Sequence, residues 1–175
     1  MGVLRAADTI ICCQHGYLEP VRKGHFVATF NGPNGSSNDA DNYLLRSVGG
    51  LNQGITPGTW GMVNYPISFP KELGTAELSL KYVMLTDGSR KSTLQFWEKW
   101  KQKTYDHDKD LPALFNKCTG SGQIQVMLPD GSNYLTYEIS YCWPKNVSIG
   151  DMDRDSSDPL DFTVSLVAGK IKLQD

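Results

Sequence analysis

Nowhere in the 175 residues does an apolar run exceed a few residues, so the sequence holds no transmembrane helix, which needs about 20. The opening MGVLRAADTI lacks a basic stretch followed by a long apolar one, so no secretory signal is expected. An excess of either charge is missing too: 17 Lys and Arg stand against 19 Asp and Glu, a net charge of −2. Domains that grip nucleic acid through its phosphates are strongly basic, and this balance argues against that class. Histidine is scarce, with only His15, His25 and His107. The elbow G-x-S-x-G, the zinc pair H-E-x-x-H, the dinucleotide loop G-x-G-x-x-G and the Walker loop do not occur. Neither an enzyme nor a cofactor or metal site is expected.

Cysteine is almost as sparse. Cys12 and Cys13 are adjacent, which suits neither a C-x-x-C redox pair nor a zinc knuckle. Cys12-Cys13-Gln14-His15 offers sulfur and nitrogen, but small apolar residues beside a histidine are the simpler account. If the assembled product leaves the cell, disulfides become possible, with Cys12, Cys13, Cys118 and Cys142 as candidates for bonds between subunits. The doublet near a terminus is better placed to reach a neighbouring chain than to staple its own. His107 lies between Asp106 and Asp108, a polar loop rather than an acid–base site. Asp151-x-Asp153-x-Asp155 opens like a calcium loop. It then fails at Ser156, where the turn needs glycine, and at Phe162, where a bidentate carboxylate is needed.

What is present is a β pattern. Hydrophobic residues make up 39% and charged residues 21%, enough for one packed core over residues 1–175. Apolar positions alternate in His25–Phe30, in Glu77–Thr86, in Gln123–Pro129 and in Phe162–Leu173. Tyr43–Val48 reads as the partner of the first of these. Asp130-Gly131 predicts a hairpin returning through Asn133–Tyr141, which Cys142-Trp143-Pro144 should end. Residues 31–41 read as an exposed loop, and 106–117 as a loop with a short turn. One helix is predicted from Ser89 to about Tyr105, with Leu94, Trp97 and Trp100 on one stripe and lysines opposite. Seven or eight strands and one helix make an antiparallel β-barrel or sandwich. The segment 59–70 carries Trp60, Met62, Tyr65, Ile67 and Phe69, broken by Pro66 and Pro70. Proline confines it to edge strands or a protruding loop, which is either a surface that another subunit covers or a flap over the protein's own core.

The order Tyr137-Glu138-Ile139, Trp143-Pro144, Asn146-Val147, an acidic loop and Phe162-Thr163-Val164-Ser165-Leu166 resembles the C-terminal half of the tail tube proteins of contractile-tailed bacteriophages. The irregular loop before Leu78, the strand Leu78–Leu85 and the helix with Phe96-Trp97 and Trp100 fall in the same order. The likeness covers roughly residues 25–173. It implies a fold shared with type VI secretion tube proteins, a small barrel or sandwich with one helix on its flank, assembled as hexameric rings. Rings would stack into a tube inside a contractile sheath, with viral DNA passing through the lumen without specific binding. Implied partners are further copies, the tail sheath protein, and the baseplate and tape-measure proteins; the implied location is the phage tail, assembled in the host cytoplasm. It further implies that the loop Val63, Asn64, Tyr65, Pro66, Ile67, Ser68, Phe69, Lys71 and Leu73 packs on neighbouring subunits, and that a terminal arm, here 1–24, helps rings stack. The stretches 31–41 and 106–120 depart from the family pattern as loops or insertions. Alternatives are a tube-initiator or baseplate ring protein, a type VI-like tube subunit, a ligand-binding β-barrel using Trp60 and Trp143, or an enzyme using Cys12 or His107.

Overall fold

The computed structural model describes residues 24–33, 35, 44–62, 65–84, 92–106, 110–155 and 157–174. Along the chain run β1 (Phe26–Asn31), β2 (Leu45–Gly49), β3 (Ile55–Met62), β4 (Tyr65–Leu73), β5 (Ala76–Val83) and helix α1 (Ser92–Thr104). After these come β6 (Tyr105–Asp106), β7 (Leu111–Pro112), the single turn α2 (Phe115–Cys118), β8 (Gly120–Met127), β9 (Asn133–Ile149) and β10 (Asp161–Gln174). Six strands form one curled antiparallel sheet in the order β1-β8-β9-β10-β5-β2, a half-barrel. The pairs β3–β4 and β6–β7 stand apart from it. The expected 1–24 arm falls outside the described residues except for Gly24, and so does most of the 31–41 loop.

Alternation in sequence becomes the two faces of the sheet. Leu78, Leu80 and Tyr82 are buried while Glu77, Ser79 and Lys81 are exposed, and β10 repeats the pattern with Phe162, Val164, Leu166 and Ala168. The predicted hairpin forms between β8 and β9. Its turn has Gly131 at φ 84°, a left-handed conformation that favours glycine. Asp130 accepts hydrogen bonds from Ser132 N (2.8 Å) and Ser132 Oγ (2.6 Å), which hold its carboxyl below the usual carboxylate range.

Two expectations are corrected. The strand around Tyr43–Val48, observed as β2, pairs with β5 rather than β1. β1 pairs instead with β8, where Gly122 leaves room for the Phe30 ring; a Cβ there would lie 2.5 Å from it. β9 does not end at Cys142-Trp143-Pro144 but continues to Ile149 along β10. Beyond Cys142 it has left β8, so Pro144 withholds no hydrogen bond on that side, and a bulge at Ser165/Leu166 absorbs the irregularity beside it. The 106–117 stretch, expected as a loop with a short turn, carries that turn as α2 and adds the two-residue strand β7.

Helix α1 brings its aromatic stripe onto the sheet as predicted, packing chiefly on β9. Trp97 is fully buried, edge-on to Phe30 (5.4 Å) and stacked on Trp100 (5.4 Å, 8°). Trp100 Nε1 donates to Cys118 O at 2.8 Å, tying the helix to α2. Tyr82 stacks on Phe162 at 5.0 Å, so the core is continuous from β1 through α1 to β10.

Candidate subunit interface

β3 and β4 make an antiparallel ribbon that has only slight contact with the other elements. Its register sets Trp60 opposite Ile67, Gly58 opposite Phe69, and Ile55 opposite Leu73, with a bulge between Thr56 and Pro57. Of the two forms expected, edge strands or a protruding loop, the described residues take the first, as two paired strands outside the main sheet. Prolines fit because each strand has a single partner, so a proline can turn its missing N–H side away from it. Alternation puts Trp60, Ile67 and Phe69 on one face, and they are 67%, 56% and 45% exposed. The Phe69 ring lies across Gly58, where a Cβ would meet it at 2.7 Å. Ile55 and Leu73 are exposed at the ribbon's base. Lys71 and Glu72 are the only charged residues between 55 and 73, so the surface is apolar and close to neutral.

Energetics make this arrangement informative. A two-stranded ribbon in water is marginally stable and normally needs a third strand or a packed face. Large exposed apolar patches mark surfaces that another molecule covers. Trp60, Ile67 and Phe69 are already partly covered, so burying the remainder of each would contribute about 1 kcal/mol or somewhat more, roughly half the value for a fully exposed side chain.

Of the residues singled out from the sequence, Tyr65, Pro66, Ile67, Ser68, Phe69, Lys71 and Leu73 lie on β4. Val63 and Asn64 fall outside the described residues. Sequence reasoning singles out Trp60 on the other strand, β3, within the 59–70 segment but misses Ile55 at its start. The bracketing glycines Gly54 and Gly74, whose backbones join at 2.9 Å, were the available signal for the ribbon's ends.

The cysteines are not brought together into one site. Cys12 and Cys13 lie outside the described residues. Cys118 is half-buried, its Sγ donating to Phe115 O at 3.4 Å, and burial raises its thiol pKa. Cys142 has no exposed surface, and burial pushes its thiol up to about 12. A cysteine of another chain could reach it only by opening the sheet, which removes the physical basis for Cys142 as a candidate for a bond between subunits. His15 and His107 also lie outside the described residues, while His25 O accepts from Met127 N at 2.8 Å at the start of β1.

Two further surface features flank the sheet. An open groove of about 520 Å³ lies between the end of α1, α2 and β9, lined by Tyr105, Phe115, Trp143 and Pro144 among others. Beside it Phe115 packs on Tyr141 at 5.8 Å. An acidic cleft of about 720 Å³ runs from Asp151 to Asp161. Among the described residues no group of three or more His, Cys, Asp or Glu is placed to hold a metal ion. No described helix is long and apolar enough to cross a membrane.

No family model matches the sequence, and no curated protein matches it. Solved structures do. A chain of the anti-feeding prophage cap, the AFP tube-terminating cap, superposes with a TM-score of 0.68 over 91% of this chain and 93% of that one, at 12% identity. A chain of the PVC sheath–tube complex of an extracellular contractile injection system, in its extended state, gives 0.66 over 95% and 96%, at 14% identity. The SPP1 tail tube gives 0.58 over 89% and 79%, at 10% identity. At such identities the likeness speaks to fold: the chain has the tail-tube fold, an antiparallel half-barrel with one helix packed on it.

Proposed function

We propose that this chain is a structural, non-enzymatic tube subunit, that its copies close into hexameric rings, and that the β3–β4 ribbon is the contact between copies. The carrying observation is the ribbon itself: Trp60, Ile67 and Phe69 stand exposed on a hairpin that its own core does not cover. Head-to-tail contact around a ring is heterologous, and stacking of the same kind extends rings into an open filament. Residues 1–175 act as one tail-tube domain in this reading, with 1–24 as the stacking arm. The sheath, baseplate and tape-measure proteins are its neighbours, and the phage tail is its place. A net charge of −2 suits a conduit for DNA, because lysine or arginine lining the bore would bind phosphates and slow the polymer.

Replacing Ile67 and Phe69 together with Asp tests the reading. Negative-stain electron microscopy of the purified variant should show no rings or tubes where the parent chain forms them. Normal tubes from the variant would remove the ribbon from the interface. A second reading has its own support, since a tube-terminating cap is among the similar structures. A cap or initiator makes one ring per particle and a tube subunit many, so copy number per particle separates the two.

A further inference from the structure

Gln53 precedes the ribbon by two residues, and its side chain joins three chain segments. Its Nε2 donates to Gly74 O at 2.6 Å and to Gly169 O at 2.9 Å. Its Oε1 accepts from Ile171 N at 2.9 Å. The amide has one orientation that satisfies all three, because reversing it would set an oxygen against two carbonyls. Gly74 is the far foot of the ribbon, closed onto Gly54 O by its own N–H. Gly169 and Ile171 belong to β10 just past Ala168, the last residue that pairs with β5. From there to Gln174, β10 is paired with β9 on one side only. The carboxamide therefore bonds the oxygen of one β10 residue and the nitrogen two residues on, the two bonds that one residue of a neighbouring parallel strand would make.

We propose that Gln53 is the positioning residue of the ribbon: its carboxamide replaces a strand on the open edge of β10 and so sets the direction in which β3 and β4 project. The ribbon has few other ties to the sheet, so its angle depends on this clamp. An apolar face meets its counterpart on another copy only if it is presented at a fixed angle, and a free hinge would add an ordering cost to each contact. The inference deepens the reading of the ribbon as a subunit contact and rests on it.

Gln53→Met keeps the side chain's length and removes all three bonds. Hydrogen exchange on the full-length chain, diluted below assembly, should show the Ile171 N–H exchanging at least about tenfold faster, with the Leu80 and Val164 amides unchanged. Rings and tubes should then need at least about tenfold more protein to form. Gln53→Glu should assemble as poorly near neutral pH and recover only as pH falls below about 4.3, the ordinary glutamate value, where protonation returns one donor. Unchanged exchange at Ile171 would overturn the clamp. Faster exchange with unchanged assembly, where Ile67→Asp with Phe69→Asp abolishes it, would overturn the positioning role. Normal assembly of that double Asp variant would instead remove the ribbon as an interface and the positioning role with it, while the exchange result still decides whether the clamp exists.

Discussion

Two tryptophans on one helix stripe have different surroundings. Trp100 donates its indole N–H to Cys118 O, whereas Trp97 Nε1 is buried and no described partner meets it. Replacing either with Phe removes the same volume, but only Trp100→Phe leaves a carbonyl without its donor. Trp97→Phe also removes an unsatisfied N–H, whose burial costs about 1–3 kcal/mol. Urea denaturation should therefore find Trp100→Phe more destabilising than Trp97→Phe by about 1–2 kcal/mol. Cys142 gives a pH dependence with a definite sign. Its thiol stays protonated in the fold up to about 12, against an ordinary 9.0. Above the lower value the unfolded chain releases this proton and the folded chain does not, so stability is fully present below it and falls as pH rises toward the upper one. The slope from this group reaches about 1.4 kcal/mol per pH unit. Cys142→Ala should flatten the alkaline limb, checked by urea midpoints between neutral pH and about pH 10.5.

At the scale of elements, β1 is held to the sheet by an aromatic ring over a glycine. A methyl at Gly122 would sit 2.5 Å from Phe30, and Phe30 also carries the edge contact to Trp97. Gly122→Ala should thus cost about 1–3 kcal/mol by overpacking. Shortening the ring as Phe30→Leu should recover part of that cost, so thermal melts of the two single variants and the double should show a favourable coupling. If the two losses simply add, the ring and the glycine do not share the space. The ribbon behaves differently from β1, because its strands have partners in each other and none in the sheet. Substitutions on its exposed face should change assembly far more than the melting of a single subunit.

At the scale of the whole molecule, the sheet carries its core on one side and holds out an apolar ribbon that it does not cover. Of the four tryptophans, Trp97 and Trp100 are buried, Trp143 is half-buried, and Trp60 is the most exposed. Assembly through the ribbon should move Trp60 out of water and shift the fluorescence maximum to the blue as protein concentration rises. Trp60→Phe should remove most of that shift while leaving the emission of the buried pair in place. A shift that persists in the variant would mean that the contact lies elsewhere.

Local chemistry determined much of this before any fold was known. The two-residue alternation of Leu78–Tyr82 and Phe162–Leu166, the Asp130-Gly131 turn and the stripe Leu94–Trp97–Trp100 each depend on neighbours within a few residues, so the sequence carries them openly. Tertiary structure alone decided what depends on residues far apart. β1 chose β8 because Phe30 fits over Gly122, more than ninety residues away. β9 ran on through Pro144 because β8 had already left that edge. The 59–70 stretch became a free ribbon rather than a flap over the core, since its prolines disguise two paired strands and its orientation depends on Gln53 reaching β10, 118 residues further along the chain. Pairing across such distances is set by which surfaces fit when the chain closes, and no short window of residues contains that information.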